Sequence, residues 1–301
     1  MFEPTRHSFE ATTHSAISVV NAIPAGKGVT IAIDIPCMVK ATILPKQTRE
    51  NIVVSSEVHD PHRLVKTTID YALSHLKAEI PKSVQLNLEI NSKIPTAVGL
   101  KSSSAVSVAA TKAVFGLFSK EFDFKWILKV SCNASKDSGA SLTGAYDDAA
   151  ASLLGGIVFT DNTKFKLIKH SNVPKELGST IAILIPDDRK MLTSSIDSSA
   201  YEKYRVESLN SFDYSLKGEF ASAMMLNSII QCAALKYSIE PVSTAMAEGA
   251  SAAGITGKGP AVAALCRDSK TLRRVKKAWL EEDKNCSVLE TTVVQPEETI
   301  R

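Results

Sequence analysis

The sequence predicts an α+β protein built as two halves, and three observations carry that reading. Apolar, β-branched runs dominate the opening segment, interrupted by one stretch of helical periodicity. The polar residues 161–164, just after Gly155 and Gly156, separate this cycle of strands and helices from a second one. A chain of 301 residues, 44% hydrophobic and 22% charged, suits one large domain or two intimate ones around a sizeable core. The expected division is an N-terminal half over 1–162 and a C-terminal half over 163–301.

Taken in order, residues 15–21, 29–38, 51–58 and 84–90 have the composition of strands. Between the third and fourth, Val65, Ile69, Ala72, Leu73 and Leu76 recur at helical spacing, and Pro81 closes the segment. After Pro95 a polar stretch with Gly99 leads into Val106, Ala109, Ala110, Ala113, Val114 and Leu117 on one helical face. A helix over 125–136 and an Ala-rich stretch from Asp147 follow, stopped by Gly155 and Gly156 before a strand at 157–160. The second half reads as strand 181–185, helices 206–216, 220–235 and 242–253, strand 261–266, helix 270–279 and strand 287–294. No fixed-period repeat or low-complexity tract is present.

The net charge of +3 is spread through the chain, so no nucleic-acid footprint is visible. Five widely spaced cysteines without a CxxC pair indicate neither a disulfide framework nor a thiolate metal site. The N-terminal residues lack a signal-peptide apolar core, and no stretch reaches membrane-spanning length. A cytoplasmic protein with no nucleic-acid or membrane partner, as monomer or homodimer, is expected. His59 and His62 flank Asp60 and Pro61; a polar turn explains them, and a metal site would need further ligands. A Walker A loop is absent, because Gly26-Lys27 and Gly257-Lys258 are each followed by glycine rather than Ser or Thr. HExxH, GxSxG and GxGxxG are absent too, which removes the usual support for hydrolase and dehydrogenase readings.

Three glycine-bearing segments stand out. Pro95, Val98, Gly99, Leu100, Lys101, Ser102, Ser103, Ser104 and Ala105 lie where a loop becomes a helix. Free N–H groups and the macrodipole make such a terminus an anion site; plain serine capping is the competing explanation. Gly254, Gly257, Lys258, Gly259 and Pro260 precede an apolar strand, as a tight turn or as a loop brought close to a ligand. Asn21 to Gly28 joins two strands and delivers Lys27 between two glycines, either to solvent or to a ligand. Asp147 and Asp148 open the Ala-rich helix, where a carboxylate complements the dipole, accepts a proton or holds Mg²⁺.

Taken in chain order, the three segments resemble the three motifs of the GHMP kinase superfamily, whose middle motif is Pro-x-x-x-Gly-Leu-x-Ser-Ser. GLKSSSA, VVNAIPAGKG and TGAYDDAAASLLGG are similar, within that superfamily, to the archaeal type of shikimate kinase, and the similarity covers residues 19–264. The resemblance implies a ribosomal-protein-S5-like N-terminal half, a ferredoxin-like C-terminal half, and ATP with Mg²⁺ in the cleft between them. It implies Asp148 as catalytic base, Lys27 beside that carboxylate, Ser103 and Asp137 on the metal, and phosphoryl transfer to the 3-hydroxyl of shikimate. Gly257, Lys258, Gly259 and Arg205 fall to the substrate, with Arg189, Arg205, Lys101 and Lys258 as candidates for its carboxylate. Many sister kinases have Gly where this chain has Lys101, and homoserine-kinase-like members have Asn at the position of Asp148. Another GHMP kinase acting on homoserine or a mevalonate-like alcohol, or a catalytically inactive GHMP-fold binding module, are the alternatives.

Overall fold

The computed structural model describes residues 4–56, 63–118, 123–187 and 199–296. His59, His62 and Arg189 lie outside the described residues. Strands β1 (Ser8–Val20) and β2 (Lys27–Pro45) form a long antiparallel hairpin. Both outrun their apolar centres because the outer part of β1 still alternates: Ala11 and Thr13 are buried while Ser8, Glu10 and Thr12 face solvent. β1 occupies one edge of β2. The other edge is shared by β5 (Ile157–Asp161) at its start and β4 (Val84–Ser92) at its end. β3 (Ile52–Ser56) runs parallel to β4, and β6 (Lys166–Ser171) pairs with β5, so β3 and β6 form the sheet's margins.

Helices α2 (Ser102–Phe118) and α4 (Tyr146–Leu154) pack on β1 and β2. α1 (Leu64–Leu76) and α3 (Phe124–Asp137) pack on α2 in turn. That placement explains why α2 is apolar nearly all round, with 14 buried residues. A short 3₁₀ turn (Lys175–Leu177) leads to the second sheet.

This sheet is antiparallel in the order β10 (Cys286–Thr292), β7 (Thr180–Pro186), β9 (Val262–Cys266), β8 (Ala252–Ile255). Strand alternation divides it between two cores. Ile181, Ile183, Ala263 and Leu265 join the main core, while Ala182, Leu184, Val262 and Ala264 pack with Trp279 in a second. α8 (Glu240–Ala247) and α9 (Ser269–Glu282) cover that second face. α6 (Arg205–Leu216) and α7 (Phe220–Leu235), preceded by the single turn α5 (Ser199–Glu202), lie against β1 and β8. The C-terminal segment returns to the first half, where Val294 N–H donates to the Ala32 carbonyl at 3.0 Å and Gly156 N–H to that of Val294 at 2.7 Å.

Two readings of the sequence need correction. The helix expected over 242–253 ends at Ala247, since Gly249 turns out of it at φ +93° and residues 252–255 become β8. β6 was not foreseen, because its lysines and mostly exposed pattern hide the period of a strand. All five cysteines are free thiols. No helix among the described residues is long and apolar enough to cross a membrane.

Candidate active site

Three stretches far apart in the chain meet at one cavity of about 230 Å³. Asn21 and Ile23 follow β1, Gly99 to Ser104 lead into α2, and Gly257 and Lys258 follow β8; Asp147 and Asp148 enter from α4. An apolar wall of Val54, Leu64, Val65, Ile90 and Val106 closes one side.

The glycines permit the close approach. Gly99 sits at φ +93°, and a Cβ there would lie 2.1 Å from the Thr256 carbonyl oxygen. Side chains then stitch the segments together. Thr256 Oγ1 donates to the Gly99 carbonyl at 3.1 Å and accepts from Ser18 N–H at 3.0 Å. Asn21 Nδ2 donates to the Gly257 carbonyl at 2.7 Å, and Asn21 N–H donates to Asn227 Oδ1 of α7 at 2.9 Å. Gly257 N–H donates to Ser18 Oγ at 3.3 Å.

Lys101 immediately precedes α2 in the left-handed region (φ 62°), with its side chain 8% exposed. Its ammonium donates to Ser18 Oγ at 2.8 Å and lies 2.9 Å from Asp148 Oδ1. The second contact is an ion pair outside hydrogen-bond geometry, and Oδ1 has no hydrogen-bond partner among the described residues. Burial, then the adjacent Asp147, push the Asp148 carboxyl from 3.8 up to about 6, against the pull of Lys101 and Lys258. Burial and the Lys101 charge push Lys258 down to about 8.

Asp147 has a different task. Buried at 4% exposure, it accepts from Asn162 Nδ2 at 2.7 Å and Thr30 Oγ1 at 3.3 Å, which fastens the start of α4 to the first sheet. Gly28 makes room for it, since a Cβ there would fall 2.4 Å from Asp147 Oδ2.

Several expected placements differ. Lys27 is engaged by Asp161, Nζ to Oδ2 at 2.6 Å, and the lysine at Asp148 is Lys101. The reason is register: β2 pairs Lys27 directly with Asp161 of β5. Asp137 is exposed at the end of α3, accepts a hydrogen bond from the Tyr71 hydroxyl, and does not line the cavity. Arg205 is exposed at the start of α6, also off the cavity. Pro95, Leu100 and Ser102, Ser103 and Ser104 line the cavity, whereas Val98 and Ala105 are buried behind it. The Val98 carbonyl accepts from Ala261 N–H at 3.1 Å, and that of Ala105 from Thr13 Oγ1 at 2.9 Å. Gly259 faces the Tyr237 ring rather than the cavity, and Tyr237 OH donates to the Lys258 carbonyl at 2.9 Å. Sequence reasoning missed Ser18, Thr256 and Asn227; an asparagine amid the apolar residues of α7 is the one signal that pointed to any of them.

Residues 63–156 match the family model described as GHMP kinases N terminal domain, and residues 206–285 match GHMP kinases C terminal. The chain is 33% identical over 267 residues to the shikimate kinase of Pyrococcus furiosus, spanning 89% of this chain and 93% of that one. This chain belongs to the GHMP kinases. A second relative, the shikimate kinase of Methanothrix thermoacetophila, is 34% identical over 86% of this GHMP kinase and 85% of its own length. The two-domain fold is shared with homoserine kinase from Cytophaga hutchinsonii (TM-score 0.75, 17% identity, 99% and 98% of the two chains). It is shared equally with Methanococcus jannaschii mevalonate kinase (TM-score 0.75, 19% identity, 96% and 99% of the two chains). At such identities these neighbours speak for the fold of this GHMP kinase alone.

Proposed function

We propose that this GHMP kinase transfers the γ-phosphoryl group of ATP to the 3-hydroxyl of shikimate. One observation carries the chemistry: Asp148, a carboxylate raised to about 6, opens onto the same cavity as the N-terminus of α2. The acceptor rests on likeness to archaeal proteins named shikimate kinase, of which two are 33% and 34% identical over most of both chains.

The first turn of α2 has N–H groups without intrahelical partners, and together with the macrodipole they suit a triphosphate along Ser102, Ser103 and Ser104. The apolar wall suits the nucleoside. Asp148 accepts the proton as the hydroxyl oxygen forms its bond to the γ-phosphorus; the bond from that phosphorus to the β–γ bridging oxygen breaks and ADP leaves. A carboxylate at about 6 stays mostly ionised at neutral pH yet is a stronger base than an ordinary aspartate. Lys258 supplies a cation for the substrate carboxylate. Magnesium ordinarily keeps waters and phosphate oxygens and needs few protein donors. The exposed Ser103 hydroxyl on the cavity fits that demand, whereas Asp137 does not. Bound there, the ion would neutralise phosphate charge. Five free thiols fit a reducing cytoplasm.

The test is ADP release with shikimate, homoserine and mevalonate compared side by side at saturating ATP. Release that depends on shikimate is the expected outcome. Release with homoserine or mevalonate instead would reassign the acceptor, and none with any of the three would favour a binding module.

A further inference from the structure

We propose that Lys101 is the positioning residue of this site: it holds Asp148 in register with the loop at Gly257 and is not itself a phosphate ligand. The proposal rests on the reading of Asp148 as the base.

Lys101 sits in the middle of the phosphate-loop motif, where a cation would be assigned to the nucleotide. Its geometry points elsewhere. The left-handed backbone at Lys101 starts the side chain toward β1, and Ser18 Oγ fixes the ammonium at 2.8 Å. Gly257 stands close beside it, where a Cβ would come within 3.0 Å of Lys101 Nζ. Lys101 lines the cavity, yet with its side chain 8% exposed the ammonium is held among Ser18, Gly257 and Asp148. Ser18 also receives Gly257 N–H at 3.3 Å. One hydroxyl therefore reports the place of the second half's loop to the lysine, and the lysine passes it to the carboxylate of α4. The charged and titratable groups facing Asp148 are Lys101, Lys258, Asp147 and the buried Cys132 thiol. Lys101 lies 2.9 Å from Asp148 Oδ1, at ion-pair distance.

The experiment measures the pH dependence of kcat/KM for shikimate and, by calorimetry, the affinity for ADP. Lys101→Met is expected to lower kcat about a hundredfold and to move the acidic limb up from about 6 by roughly one unit or more. ADP affinity stays within about threefold, since its two phosphates rely on main-chain amides. Lys101→Arg keeps the charge and is expected to return the limb toward its original position. Should the Met variant not fold, Lys101→Gln, which can retain the Ser18 contact, carries the same expected shift. A limb unmoved in the Met or Gln variant overturns the proposal, and an ADP affinity falling more than tenfold in the same variant makes Lys101 a phosphate ligand. Asp148→Asn separates the two layers: if it keeps both the turnover and the limb of the parent, the base assignment itself fails, and the Lys101 proposal with it.

Discussion

Asp147 and Asp148 are chemically identical neighbours with opposite employment, and the difference lies in what reaches each carboxylate. Asp147 is satisfied by Asn162 and Thr30, whereas Asp148 meets a lysine ammonium in poor hydrogen-bond geometry. A base raised to about 6 makes kcat/KM fall about tenfold per unit as pH drops below that value, and Asp148→Asn removes this limb with a loss of about 10²–10⁴ in kcat. Asp161 shows the reverse shift. Burial alone would raise its pKa, but hydrogen bonds from Lys27 and Thr163, with the Lys27 charge, hold it at about 2. A depressed carboxyl stabilises the fold above its ordinary value, and that stability is lost as pH falls toward about 2. Asp161→Asn is therefore expected to cost about 1–3 kcal/mol in denaturant melts at pH 7, with the gap narrowing below pH 4.

Among the elements, the loop entering α2 is the most constrained. Gly99→Ala would combine a Cβ 2.1 Å from the Thr256 carbonyl oxygen with a residue held at φ +93°. We expect a loss of about 2 kcal/mol or more of unfolding free energy in urea melts and a weaker ADP affinity, because the serine turn is displaced with it. The sequence exposed this loop plainly: a glycine needing positive φ and serines at a helix start are local demands, visible in a few adjacent residues. α7 likewise matches the expected 220–235, since its apolar run is long and uninterrupted. What escaped is non-local. Ser18 and Thr256 bond across 238 positions, and Lys101 meets Asp148 although neither residue announces the other. Arg205 and Asp137 had suitable chemistry, but the helix rotation that leaves them exposed depends on packing partners elsewhere in the chain.

At the scale of the molecule, the main core draws residues from both sheets, among them Ile17 and Ile31 from the first and Ile183 and Leu265 from the second. A shared core couples the halves. Unfolding is expected as one cooperative transition, with circular dichroism and tryptophan fluorescence coincident. Trp279, 1% exposed and donating Nε1–H to the Pro241 carbonyl at 2.8 Å, makes the second core sensitive to truncation. Trp279→Ala is expected to cost about 3–5 kcal/mol by the same melts. Among the described residues β6 is unpaired along one side of the first sheet, and that strand carries exposed Lys166 and Lys169 beside exposed Ile168. Two like-charged copies brought together there would repel before their backbones could zip, so the lysines act as bumpers against fibre-like self-association. Replacing both with threonine should turn a dispersed solution into one that scatters light on gentle heating.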